Sequence, residues 1–233
     1  MAIEFPRRLL REQNHDWNIV GNTAGAGQTA TASVDVRSDG GGLWMASLNS
    51  IRFLDATDTR LWRAMRQICN GGVTPLVVPR NDIAFVPWPS AVIDGYGGVP
   101  HMDGALFNDG AGYYQSIIDV TALGAAALRA TAMNWTLTYC GALLGGEVFS
   151  IEHPTFGWRM YEVATVVVAS GGATAAVTFN PPLREAVVDG TRIELDRPRC
   201  LMKLASPGAM DLNVTTWPFS LASVKFVESK YAA

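Results

Sequence analysis

The alternation of apolar and polar residues is clearest in the last third of the chain. From Glu147 to Glu228, short apolar runs alternate with turn residues. Within this stretch, Ala173–Phe179 places alanine, valine or phenylalanine at every second position, and Thr191–Leu195 alternates in the same way. Period-two patterning bounded by glycine, proline and aspartate is typical of antiparallel strands with one face in water. We therefore predict a C-terminal β block at residues 145–228.

A second alternating segment lies near the N-terminus. Ala30–Val36 alternates strictly, Asp39–Gly42 is a glycine-rich turn, and Leu43–Leu54 follows as a second strand. The apolar parity changes between Leu48 and Ile51, which indicates a β-bulge. We expect the two strands to pair as a hairpin.

One segment has helical periodicity. Within Thr59–Cys69, leucine, methionine and isoleucine recur three or four positions apart. Asp58 or Thr57 is the candidate N-cap, and Asn70-Gly71-Gly72 supplies a left-handed stop. The predicted fold is all-β and mainly antiparallel, with β-sandwich or barrel modules and one substantial helix near Thr59–Cys69. We expect a single β-rich unit over residues 1–233.

Residues 80–112 differ from the segments on either side. Glycine and proline interrupt this stretch at short intervals, and Trp88, Tyr96 and Phe107 lie among them. We predict a long loop insertion, and loops of this length inside a compact domain tend to be functional. Because protein interfaces use large aromatic residues heavily, we predict that these three side chains are interaction residues. The alternative is that they fold back onto their own subunit.

Composition limits the classes of protein to consider. Charged residues make up 17% of the chain and apolar residues 48%, which is enough to form a folded core. Eighteen basic against 21 acidic residues leave a net charge of −3, so we expect no contact with nucleic acid. No apolar run reaches the roughly 20 residues of a membrane span. The first residues lack the apolar core of a signal peptide, so we expect synthesis in a reducing cytoplasm.

Sequence motifs for catalysis or metal binding are weak in this chain. The three histidines, His15, His101 and His153, have neither HxH nor HExxH spacing, and the three cysteines form no CxxC pair. The aspartates Asp94, Asp103 and Asp109 each precede a glycine, which turn geometry explains without catalysis or calcium. We therefore expect no catalytic residue, no metal and no cofactor, and we expect that the protein is not an enzyme.

Part of the C-terminal block resembles a known family. The segments that carry the resemblance are Phe149–Ile151, His153–Tyr161, Pro181–Arg184 and Asp196–Met202. They resemble a segment of tail proteins from long-tailed, non-contractile bacteriophages, and a β-sandwich with a single helix is similar to the core of phage distal tail proteins. In that family such domains form a ring between the tail tube and the tail tip.

The resemblance implies a structural virion component at the tail tip, assembled in the host cytoplasm. The implied partners are the protein itself, as a hexameric or trimeric ring, together with the tail tube protein and the tail hub or tip proteins. The family motif transfers no catalytic residues to this sequence, and the assignment to the distal ring rests on analogy of fold.

Two other functions fit the same sequence. A carbohydrate-binding β-sandwich module for host-surface attachment is the principal alternative, because exposed aromatics such as Trp88 and Tyr96 stack well on sugars. A β-fold cell-wall hydrolase is the third. A flat aromatic platform would favour the sugar binder, carboxylates facing one groove would favour the enzyme, and a closed ring of copies would favour the tail protein.

Overall fold

The computed structural model describes residues 2–21, 23–25, 36–38, 41–81, 83–89, 105–108, 118–212 and 220–230. These residues form thirteen strands, one α-helix and three short 3-10 turns. In chain order the strands are β1 Ile3–Glu4, β2 Asn14–Val20, β3 Thr23–Gly25, β4 Val36–Ser38, β5 Leu43–Arg52, β6 Leu76–Pro79, β7 Asp119–Leu123, β8 Ala132–Tyr139, β9 Val148–His153, β10 Gly157–Val168, β11 Thr174–Asn180, β12 Arg199–Leu204 and β13 Leu221–Glu228. The helix is α1, Ala56–Cys69, and the 3-10 turns are Arg7–Leu9, Asn70–Gly72 and Ile83–Phe85. The predicted fold class, all-β with one substantial helix, is confirmed.

The chain divides into two compact units. Unit 1 comprises Met1–Pro79, Pro154–Trp158 and Arg199–Ala233, and unit 2 comprises Arg80–His153 and Arg159–Pro198. The sequence predicts one unit over residues 1–233, with a C-terminal block at 145–228. In the structure, β9 to β11 contribute to a sheet in unit 2, whereas β12 and β13 belong to the sheet of unit 1.

Unit 1 is built on a six-stranded sheet with the order β1-β6-β12-β13-β5-β2. Adjacent strands are antiparallel, apart from the two-residue parallel pair of β1 with β6. A separate two-stranded ribbon pairs β3 with β4. Since β5 pairs with β2 on one side and β13 on the other, the predicted hairpin of Ala30–Val36 with Leu43–Leu54 is wrong. Most of Ala30–Val36 lies outside the described residues, and Val36 itself pairs with Gly25 in β3.

The predicted bulge in β5 is confirmed. The pairing of β5 with β13 shifts register between Leu48 and Ile51, and Ser50 has a positive φ of 56°. The extra residue restores the burial of Ile51, which is fully buried like Leu48. The parity change in the sequence was therefore the direct signature of an inserted residue.

Helix α1 begins at Ala56, three residues before the predicted start. Its N-cap is Asp55, and not Asp58 or Thr57, because the side chain of Asp55 accepts a 2.9 Å hydrogen bond from the backbone N–H of Asp58. Asn70 takes a left-handed conformation, φ 44°, and ends the helix as predicted.

A tryptophan anchors the helix in unit 1. Trp62 is fully buried, and its ring centroid lies 5.3 Å from that of Phe53 and 6.4 Å from that of Phe5. Its indole N–H donates a 3.1 Å hydrogen bond to the carbonyl oxygen of Met210. The apolar stripe of α1 is thus held by both packing and one buried polar contact.

Unit 2 contains a five-stranded antiparallel sheet with the order β7-β8-β11-β10-β9. The segment predicted as a strand, Thr191–Leu195, forms only isolated bridges: Arg192 pairs with Thr121 in β7, and Glu194 pairs with Ser150 in β9. Because this one segment bonds to both outer strands of the sheet, it closes the sheet around its core. Each ladder is a single bridge, which is why no regular strand forms there.

The core of unit 2 is aromatic. Phe149 contacts Trp135, Tyr161 and Phe179, with ring centroids 4.9, 5.3 and 5.5 Å apart. All four side chains are at most 3% exposed. The alternation at Ala173–Phe179, which forms β11 at Thr174–Asn180, supplies Phe179 to this cluster.

Candidate functional site

The three predicted interaction residues have different surroundings. Trp88 is partly buried and packs against the core of unit 2. Phe107 lies outside regular secondary structure and is 43% exposed. Tyr96 lies outside the described residues, as does most of the predicted loop at 80–112. Trp88 therefore packs on its own subunit and Phe107 is exposed, and a joint interaction surface of the three aromatics stays a prediction.

The backbone around Trp88 is fixed to the end of β8. The N–H of Gly141 donates a 2.9 Å hydrogen bond to the carbonyl oxygen of Pro87. A Cβ at position 141 would lie only 2.3 Å from the carbonyl oxygen of Trp88. Glycine is thus required for this close approach of the two segments.

A shallow cleft opens beside this contact. Its volume is about 630 Å³, and its lining consists of Pro89, Leu137, Thr138, Tyr139, Cys140, Gly141, Ala142, Leu143, Val168 and Gly172. None of these residues is charged, and Tyr139 is 51% exposed. The cleft can accept an uncharged ligand that stacks on one aromatic ring. Phe85, three residues before Trp88, is 72% exposed. Our prediction of interaction residues did not include it.

An open strand edge is the other candidate surface. Among the described residues, β2 pairs only with β5, so the opposite edge of its seven residues has no partner strand. The β3–β4 ribbon continues the β2–β5 hairpin, since Val20 pairs with Leu43 and Thr23 pairs with Ser38. Unpaired N–H and C=O groups on such an edge are a template for a strand from another chain. Sequence patterning did not find this surface, because a strand's pattern does not say whether it lies inside or at the edge of a sheet.

The junction between hairpin and ribbon depends on a glycine. Gly42 has a positive φ of 67°, and a Cβ there would lie 2.7 Å from the carbonyl oxygen of Val20. A side chain at this position would strain the backbone and displace Val20. The path of the chain between the sheet and the ribbon therefore depends on the left-handed conformation of Gly42.

A buried carboxylate lies at the start of α1. Asp58 is fully buried and accepts hydrogen bonds from Arg8, from Arg11 at 3.3 Å and from the N–H of Leu54 at 2.9 Å. Burial would raise the pKa of Asp58, but the hydrogen bonds from Arg8 and Leu54 and the charge of Arg8 outweigh it, so the pKa lies below its usual value. Every oxygen of this carboxylate is engaged by the fold, which indicates a structural role.

Electrostatics also lower the pKa of the capping residue. The N–H of Asp58 donates to Asp55, and the charge of Arg8 adds to the effect, so the pKa of Asp55 lies below its usual value. Backbone N–H groups and the charge of Arg8 thus favour the ionised form of both carboxylates. The cluster links the turn at Arg7–Leu9 to the first turn of the helix.

A buried histidine–tyrosine pair lies in unit 2. His153 Nε2 is 2.8 Å from the hydroxyl oxygen of Tyr161, which also accepts a 3.1 Å hydrogen bond from the N–H of Arg184. Burial lowers the pKa of His153 to about 4; Glu185 opposes this shift and Arg159 adds to it. The imidazole is therefore neutral at pH 7, buried and hydrogen-bonded to the hydroxyl of Tyr161.

Acid should destabilise the protein through His153. Its pKa is about 4 in the folded state and near 6.5 when unfolded, so the unfolded chain binds the extra proton between these values. Stability is then complete above pH 6.5 and falls by up to about 3 kcal/mol as the pH drops to 4. We expect His153→Gln to remove this part of the pH dependence, measured by urea unfolding at pH 7.5 and pH 4.5. Tyr161→Phe, which keeps the buried imidazole, should retain it, and equal slopes for H153Q and wild type would contradict the assignment.

Possible metal ligands and thiols are the remaining reactive groups in the described part of the chain. In the described part of the chain, no group of three or more His, Cys, Asp or Glu side chains is placed to hold a metal ion. Cys69, Cys140 and Cys200 are not joined by disulfide bonds. Burial raises the pKa of Cys69 and of Cys140 to about 11, with a further contribution from Glu147 at Cys140, so both are protonated at neutral pH. No helix among the described residues is long and apolar enough to cross a membrane.

Comparisons with known proteins identify no family for this chain. No protein-family model matches this chain, and no curated protein matches it significantly.

Proposed function

We propose that the protein is a structural, non-catalytic component of a bacteriophage tail that forms a ring at the distal end of the tail tube and joins it to the tail tip or hub. The observation that carries this proposal is the open edge of β2 together with the β3–β4 ribbon that extends its hairpin. A subunit can assemble with copies of itself through an edge of this kind, because strand addition joins chains through backbone hydrogen bonds. The segments within residues 145–204 resemble tail proteins, and this resemblance is the reason for proposing a phage tail as the assembly.

The partners follow from this role. The subunit contacts itself in a hexameric or trimeric ring, the tail tube protein on one side and the tail hub or tip proteins on the other. Repeated head-to-tail contacts around an axis close into a ring. The mature location is the tail tip of the virion, and assembly takes place in the host cytoplasm.

The test is a lysine block of the β2 edge. Asn14 and Asn18 are exposed in β2, and lysines on an edge strand disfavour pairing with a second strand. We expect Asn14→Lys/Asn18→Lys to keep the melting temperature of the wild type but to lose ring formation in light scattering and negative-stain images, and to be absent from purified virions. Leu221→Lys is the matched control, since this exposed residue lies in β13, which has partners on both sides. Rings that persist in the double lysine variant, or a wild-type protein absent from virions, would contradict the proposal.

A carbohydrate-binding module for host-surface attachment is the second candidate. The cleft beside Tyr139 favours it, because an uncharged cleft of about 630 Å³ with an exposed aromatic ring suits a neutral sugar. Binding of cell-wall oligosaccharides in titration calorimetry, abolished by Tyr139→Ala at unchanged melting temperature, would support this function. Unchanged heats with that variant would exclude the cleft as the site.

A further inference from the structure

The outward face of α1 carries two exposed arginines. Trp62, Met65 and Cys69 lie on the buried face of the helix. The opposite face presents Arg60 and Arg63, both exposed, with only small or neutral neighbours, Ala56, Ala64 and Gln67. Neither arginine forms an ion pair with another described residue, whereas Arg66 on the flank is paired with Asp211. Within the described part of the chain, two guanidinium groups without an acidic partner therefore lie about one helical turn apart.

The two units carry opposite charge. Unit 1 contains twelve Lys and Arg against nine Asp and Glu, a net charge of +3. Unit 2 contains six Lys and Arg against twelve Asp and Glu, a net charge of −6. Among its described residues, Asp119 and Glu152 are exposed carboxylates that form no ion pair with another described residue. Charge of opposite sign on two parts of one chain favours association between copies of that chain.

We propose that the outward face of α1 is a docking surface for the acidic unit 2 of a second copy of this chain. Arginine suits such a contact, because its planar guanidinium binds carboxylates through two parallel hydrogen bonds. The contact joins two different surfaces, so it is head-to-tail and repeats from copy to copy. This inference rests on the proposed self-assembly and adds a second contact between copies, beside the edge of β2. Nucleic-acid phosphate is the competing occupant of a basic helix, and the net charges of −6 on unit 2 and −3 on the chain disfavour it.

Charge reversal on each surface tests the contact. One variant is Arg60→Glu/Arg63→Glu, and the other is Asp119→Lys/Glu152→Lys; all four side chains are exposed, and circular dichroism checks that each variant folds. We expect each variant alone to associate about tenfold more weakly than wild type in sedimentation velocity at about 50 mM salt, where surface charges are weakly screened. We expect an equimolar mixture to recover association, because each surface then meets one of opposite charge. Wild-type association should also weaken as salt is raised.

The control is Lys225→Glu/Lys230→Glu, which makes the same change in net charge on exposed residues of unit 1 outside α1. The inference would be overturned if the control weakened association as much as R60E/R63E does. It would also be overturned if the mixture of variants stayed dissociated, or if the wild-type protein remained monomeric at low salt. Unchanged self-association of R60E/R63E combined with lost binding to a labelled DNA duplex would assign the face to nucleic acid instead. If rings form with the charge-reversal variants but not with N14K/N18K, this inference alone is overturned. If the wild-type protein is absent from virions, the proposed function is contradicted.

Discussion

Replacing Trp62 by alanine is expected to destabilise unit 1 by about 3–5 kcal/mol, because the substitution removes a fully buried indole and leaves a cavity. The lost contacts include the rings of Phe5 and Phe53, and the carbonyl oxygen of Met210 loses its donor. A loss of this size is a large fraction of the 5–15 kcal/mol by which domains are typically stable. Urea unfolding followed by far-ultraviolet circular dichroism measures it.

A phenylalanine at position 62 separates the two contributions. Trp62→Phe keeps most of the ring packing but leaves the Met210 carbonyl without this donor, so we expect an intermediate loss of about 1–3 kcal/mol. Trp158→Ala is the surface control, since the Trp158 ring is only partly buried and lies 4.4 Å from the guanidinium of Arg199. A W62A variant as stable as W158A would show that α1 is not anchored through this side chain.

Removing the buried carboxylate of Asp58 has the second large expected effect. Asp58→Ala leaves the N–H of Leu54 without its acceptor and removes the counter-charge of Arg8 and Arg11. Breaking a buried ion pair on one side costs about 3–5 kcal/mol, and we expect the lower end, about 3 kcal/mol, because both arginines are partly exposed and regain water. The midpoint of urea unfolding at pH 7 measures the change.

The same variant should alter the response to acid. The pKa of Asp58 is lowered in the folded state, so its contribution is complete above the unfolded value near 3.8 and is lost as the pH falls through the folded value. The difference in stability between wild type and D58A should therefore shrink below about pH 4. The double variant Arg8→Ala/Asp58→Ala should be close to D58A if Arg8 acts through this carboxylate. A difference that stays constant down to pH 2 would contradict the ionic account.

Alternation along the chain located some strands but not their partners, and it overstated Thr191–Leu195, which forms only isolated bridges. Ala173–Phe179 was recognised as a strand and forms β11, and the parity change at Leu48–Ile51 located the bulge at Ser50. The pairing of β12 with β6 joins residues more than 100 positions apart, and no local pattern specifies it. An apolar face must be buried somewhere, but long-range packing selects the strand that it meets.

The candidate functional surfaces also separate into features set by local sequence and features set by long-range packing. Sequence alone determined the strand at Ala173–Phe179 and the left-handed stop at Asn70, since each depends on local patterning or on a backbone preference. Only the tertiary structure decided that Trp88 packs on the core, that β2 has an open edge and that Asp58 meets Arg8, 50 residues away. The physical reason is that burial and ionic pairing depend on groups distant along the chain, whose approach is fixed by the fold as a whole.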